Sequence, residues 1–196
     1  GILGRQSERP RLMHTDISRR TMTAGEFERY AALPENRERR LELIEGEMAE
    51  MVSNDVSSHL AMLIGAYITL FAQTHSLGFV TGADGGYSVG GERYMPDVGF
   101  MSAIRQPGPT GLAWNPLAPD LVVEVLSPTD DLQDVRIKVT NYLSAGSTVW
   151  LVSPPQKRIE VHAPGKPVVI ARPGDTLSGG DVLPGFMLTI SDIFPE

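Results

Sequence analysis

The stretch from Pro119 to Asp131, PDLVVEVLSPTDD, sets the hardest condition this chain must satisfy, because Glu124 stands inside a run of Leu, Val, Val, Val and Leu. A run of that composition reads as a strand covered on both faces. An unpartnered carboxylate there costs several kcal/mol or takes up a proton instead. The fold must therefore bring a neighbouring cation, a hydrogen-bond network or a metal ion to position 124. A second acid, Asp97, lies among apolar residues in YMPDVGFM, 27 positions earlier. If the two strands are neighbours, both carboxylates meet at one end of a sheet, where they cannot both ionise without a cation. A hard, oxygen-liganded ion such as Mg²⁺ or Mn²⁺ resolves that conflict. The backbone carbonyl of Val125 is a candidate third ligand.

Lys138 is one of three lysines in the chain. On a helix it shares a face with Asp134 and Tyr142, at i−4 and i+4. A lysine beside an activated water orients it or stabilises charge developing on phosphate. Simpler readings stand beside these. Asp97 after a proline can cap a turn. Glu124 can form a structural salt bridge with Arg136 or Lys138. Asp134 and Lys138, taken alone, are most simply a solvated i,i+4 pair.

The remaining pattern mixes helices and short strands. Thr23 followed by Glu26 is a capping box opening the helix TAGEFERYAAL. Leu41 and Leu43 alternate with Arg40 and Glu42 as in a strand, and Glu45-Gly46 marks a turn. Val56, Leu60, Leu63, Ile64, Tyr67, Ile68 and Phe71 follow helical spacing. Gly78 to Ser102 reads as a meander of short strands, and residues 105–119 as a long Pro/Gly-rich loop. DLVVEVL is a strand, DLQDVRIKVTNYLSAG a helix, and further strands follow. This order predicts a central mixed sheet flanked by helices. Residues 1–20 lack periodicity and read as an N-terminal extension or arm, with residues 21–196 as one domain.

Charge narrows the functional classes. The chain carries −7 overall, but residues 1–40 hold nine of its 17 basic and six of its 24 acidic side chains, leaving 8 − 18 = −10 on the rest. Such a body binds polyanions poorly unless a metal ion or a basic arm offsets it. There is no cysteine, which excludes disulfides and thiolate metal sites and fits a cytoplasmic protein. The longest apolar stretch, Leu60 to Ala72, is short for a bilayer and reads as a core helix, so no membrane partner is expected.

One set of residues carries a resemblance: EL-I-EGE (42–47), His59, PD (96–97), EVLSP (124–128), D---K---Y (134–142), AG (145–146) and WLV (150–152). It resembles the bacterial family of restriction-endonuclease-like proteins in the PD-(D/E)XK nuclease superfamily, over roughly residues 22–165. The resemblance implies an α/β (α+β) core, a mixed sheet between helices, with metal at one sheet end. It implies that Asp97 and Glu124 are the acidic pair of the motif. The motif's lysine position falls on Leu126, and Lys138 matches the place to which this family relocates it. Glu42 matches an earlier acid that completes the site, and His59 a position at the start of the long helix. The chain departs from the family at Leu41, at Ser147-Thr148-Val149 and at Ser153.

The resemblance thus implies a Mg²⁺- or Mn²⁺-dependent endonuclease acting on nucleic acid, DNA first, with Asp97, Glu124, Lys138 and Glu42 as catalytic residues and Asp97, Glu124 and Val125 at the metal. A non-enzymatic binding module retaining the nuclease fold is the alternative. A homodimer whose carboxylates form a buried salt-bridge network is a third reading.

Overall fold

The computed structural model describes residues 21–194; the expected extension over residues 1–20 lies outside them. Three α-helices form where periodicity and caps coincide: α1 (Ala24–Ala31), α2 (Asp55–Thr74) and α3 (Leu132–Ser144). Thr23 and Glu26 close the capping box of α1. Asn54 accepts from the Ser57 amide to start α2, and Asp131 accepts from the Gln133 amide to start α3.

In chain order the strands are β1 (Leu41–Ile44), β2 (Glu47–Glu50), β3 (Gly78–Thr81), β4 (Gly86–Val89), β5 (Glu92–Tyr94), β6 (Val98–Ser102), β7 (Trp114–Asn115), β8 (Leu121–Val125), β9 (Thr148–Ser153), β10 (Arg158–His162), β11 (Val169–Ala171), β12 (Thr176–Ser178) and β13 (Met187–Thr189). A six-stranded mixed sheet runs β11-β10-β9-β8-β6-β3, and a five-stranded one runs β2-β1-β5-β4-β7. Strands β8 and β9 are parallel, and α3 makes the crossover between them. The turn from β1 to β2 places Glu45 and Gly46 at φ 51° and 75°, the positive values a tight two-residue hairpin requires.

The structure is a mixed α+β fold, but its strands divide differently from a meander around one central sheet. β3 pairs with β6, whereas β4 and β5 form a hairpin in the other sheet, beside β1. The 105–119 segment contributes β7, parallel to β4. Short strand signals mark extension without naming the partner; burial decides it. Tyr87, Val89 and Tyr94 pack with Met101, Val122 and Val149, so the two sheets share a core.

Alternation along β8 assigns its two faces. Leu121, Val123 and Val125 pack toward α2, with Leu60, Ile64 and Ile68. Val122 faces the other way, toward Val139 and Tyr142 of α3. By the period of two, Glu124 shares the α3 side with Val122. Helix α2, at 20 residues, is long and apolar enough to cross a membrane by length and composition alone. That is longer than the apolar stretch suggests; its inner face nevertheless packs on the sheet as a core helix does.

Candidate active site

Glu124 is compensated first by a cation. Its Oε1 lies 2.8 Å from Lys138 Nζ and accepts a hydrogen bond from the Tyr142 hydroxyl at 3.2 Å. Burial pushes its pKa up to about 8; Lys138 opposes this, while the charges of Glu42 and Asp97 add to it. One lysine therefore does not neutralise the acids around it.

Lys138 is not a solvated partner of Asp134. It is 3% exposed, because α3 presents it to β1 and β8. Its Nζ lies 3.0 Å from Glu42 Oε1 and 2.9 Å from Glu42 Oε2, and 5.5 Å from the centre of the Tyr94 ring. Burial works against the ammonium, but Glu124 and Glu42 outweigh it and hold the pKa above the usual lysine value. Lys138 therefore stays protonated and serves as a donor, not as a base.

Glu42 is fully buried. Its Oε1 also accepts from the Met95 amide at 2.6 Å. Its Oε2 has an ion contact with Lys138 but no well-directed hydrogen bond among the described residues. Glu42 is thus a clamp on Lys138 and on the segment leading to Asp97.

Asp97 stands just before β6. The register Val98↔Val123 continues by one step to set Asp97 opposite Glu124, on the same face. Its Oδ2 accepts from the Val125 amide at 2.8 Å, and its Oδ1 lies 3.5 Å from an Arg40 nitrogen. Burial raises its pKa; the Val125 N–H and then Arg40 counter that rise. Leu126, at the motif's usual lysine position, donates its amide to Val152 and accepts from Ser57. His59 is exposed on α2 and makes none of these contacts.

Two cavities flank the cluster. One, of about 300 Å³, is lined by Glu124, Val125 and Lys138, together with the carboxylates of Glu50, Asp130, Asp131 and Asp134. The other, of about 600 Å³, runs between α2 and β3 and is lined by Asp97 and Arg40. Three residues of the neighbourhood escaped the sequence reading: Arg40, Tyr94 and Tyr142 in its role toward Glu124. Period-two alternation was a usable signal for Arg40, since it shares a strand face with the buried Glu42.

Among the described residues no three His, Cys, Asp or Glu side chains gather as a metal-holding cluster. Two opposed carboxylates are nevertheless an oxygen-only donor set. Mg²⁺ is commonly held by one or two carboxylates while keeping several waters. Burial raises the Glu124 pKa first, and the nearby charges of Glu42 and Asp97 add to that rise against the opposing effect of Lys138. The donors fit a hard divalent cation of that kind.

Comparison with known proteins relates the chain to a family and to a solved structure. Residues 26–191 match the family described as "Uma2: Putative restriction endonuclease". The crystal structure of "a putative nuclease belonging to DUF820" from Anabaena variabilis superposes with a TM-score of 0.77 at 20% identity, covering 88% of this chain and 97% of that one. At that identity the likeness shows the fold. No curated protein matches the chain.

Proposed function

The chain belongs to the Uma2 family, and from that premise we propose that it is a metal-dependent nuclease that hydrolyses phosphodiester bonds of nucleic acid at the Asp97–Glu124–Lys138 cluster. The observation that carries the reading is the opposition of Asp97 and Glu124 at the end of β6 and β8, with Lys138 Nζ 2.8 Å from Glu124. Mg²⁺ or Mn²⁺, held by Asp97, Glu124 and the Val125 carbonyl, would supply a water of lowered pKa and neutralise phosphate charge.

The protein's own groups then have defined tasks. The Val125 N–H fixes the Asp97 carboxylate, and the Tyr142 hydroxyl fixes that of Glu124. Glu42 fixes the Lys138 ammonium. Lys138 has three N–H donors, so two carboxylate partners leave one for a phosphate oxygen. That donor favours the transition state, in which charge on the phosphoryl oxygens increases. In the reaction, water oxygen bonds to phosphorus, the bond to the leaving sugar oxygen breaks, water loses a proton and the leaving oxygen gains one.

A second reading, a non-enzymatic binding module on the nuclease fold, is favoured by one observation. Glu50, Asp130, Asp131 and Asp134 line the smaller cavity, which is an adverse field for a polyanion. The deciding experiment is a Mn²⁺-dependent cleavage assay on single-stranded and duplex DNA and RNA, with wild type, Asp97→Asn and Glu124→Gln. Cleavage lost in both variants with unchanged circular dichroism supports the enzyme. Absence of cleavage by wild type on all substrates favours the binding module.

A further inference from the structure

Arg40 is a charged side chain for which the fold gives only part of an explanation. One terminal nitrogen donates to the Met95 carbonyl at 3.2 Å and lies 3.5 Å from Asp97 Oδ1. Its Nε is buried, yet finds no hydrogen-bond partner among the described residues. A buried donor without an acceptor costs about 1–3 kcal/mol and calls for a ligand or a water. The guanidinium as a whole is not sealed: its side chain keeps 23% of its exposure and lines the 600 Å³ groove between α2 and β3.

The charges around the two cavities differ. The smaller one carries five carboxylates against Lys138. Among the described residues, the α2–β3 groove carries just two charged side chains, Arg40 and Asp97, among small and apolar ones such as Ala61, Gly65, Ala66 and Ala83. A phosphodiester chain reaching Asp97 meets less repulsion along the groove, and there meets a planar donor fork suited to phosphate.

Building on the nuclease reading, we infer that the α2–β3 groove is the substrate track, and that Arg40 binds a phosphate of the nucleic-acid chain where the groove meets Asp97. The side chain is pre-positioned by Met95 and Asp97. The part of the guanidinium open to the groove supplies the phosphate contact, and the groove's small side chains leave room for the chain on either side of it.

The test is fluorescence-anisotropy binding of a labelled oligonucleotide, single-stranded and duplex, with Ca²⁺ in place of Mg²⁺, across a salt series. Arg40→Gln should weaken binding by tenfold or more and reduce the salt slope by about one phosphate contact. Arg40→Lys should keep the slope and recover part of the affinity, because the charge is retained and the fork is lost. Met62→Glu places an acid on an exposed groove position and should also weaken binding. Ile104→Glu, on an exposed residue beyond the opposite end of β6, should not. Wild-type affinity and slope in Arg40→Gln, or equal effects of Met62→Glu and Ile104→Glu, would overturn the inference while leaving the nuclease reading standing. If wild type neither binds nor cleaves any oligonucleotide, both fall together.

Discussion

The Lys138 ammonium and the Glu42 carboxylate, 96 residues apart in sequence, lie 2.9 Å from each other with neither open to solvent. The pair ties α3 to β1 at the point where Glu124 enters from β8. It makes the position of the cation a property of the fold.

The first prediction concerns that tie. Lys138→Met strands Glu42, and Glu42→Gln leaves Lys138 with Glu124 alone. Removing one partner of a buried pair typically costs about 3–5 kcal/mol. Glu42→Gln should fall below that range, because Glu124 remains and the amide oxygen still accepts from Met95. The double variant should be less destabilised than the sum of the two singles, with a coupling of roughly 1–3 kcal/mol. Urea unfolding of the four proteins in EDTA measures it; strict additivity would contradict the contact.

A pH dependence follows from Glu124. Its folded pKa of about 8 exceeds the ordinary 4.5, so the native state holds the extra proton between those values. The stability this contributes is complete below the ordinary pKa and is lost as pH rises through about 8. In EDTA, Glu124→Gln should therefore gain on wild type as pH climbs from 5 to 8.5, by at most about 1.4 kcal/mol per pH unit. Parallel stability curves for the two proteins would show that Glu124 does not titrate in this window.

Metal binding is read independently of turnover. Mn²⁺ at a hundredfold excess over its Kd should stabilise wild type by about 2.7 kcal/mol, and raise its Tm accordingly. Asp97→Asn keeps an acceptor for the Val125 amide while losing the charge, so it should fold normally and lose that gain. An equal Tm rise in both proteins would place the ion elsewhere.

Kinetics separate the roles of the polar groups. Lys138→Met should lower kcat by about 10²–10³, with a smaller change in KM, because its donor matters most in the transition state. Assays belong well below the variant's Tm, since the same change destabilises the fold. A rise in KM at constant kcat would make Lys138 a substrate-binding group only.

Glu124 and Asp97 were legible because each is a carboxylate in an apolar strand, where composition and charge conflict. Lys138 was legible as a candidate, but its burial was not. The i,i+4 spacing to Asp134 looks the same on a solvated face and on one covered by β1. The division of the strands between two sheets was illegible for a related reason: GFVTG and GYSVG carry similar strand signals, and only the packing of Tyr87 and Tyr94 against the six-stranded sheet sends them to different partners. Arg40 is not legible as a site residue, because an arginine flanking a strand resembles any surface residue. Its meaning comes from Met95 and Asp97, more than fifty positions away.

The bond from the Val125 amide to Asp97 Oδ2 extends the β6–β8 ladder by one rung that a side chain makes. Side chains alternate along a strand, so a slip of one residue in this pairing would turn one carboxylate toward α2 and away from the other. The opposed acids thus exist only in molecules whose two strands are in the native register. Any signal that depends on both, such as a Mn²⁺-induced Tm shift, counts correctly zipped molecules, and mispaired chains in a refolded preparation stay silent in it.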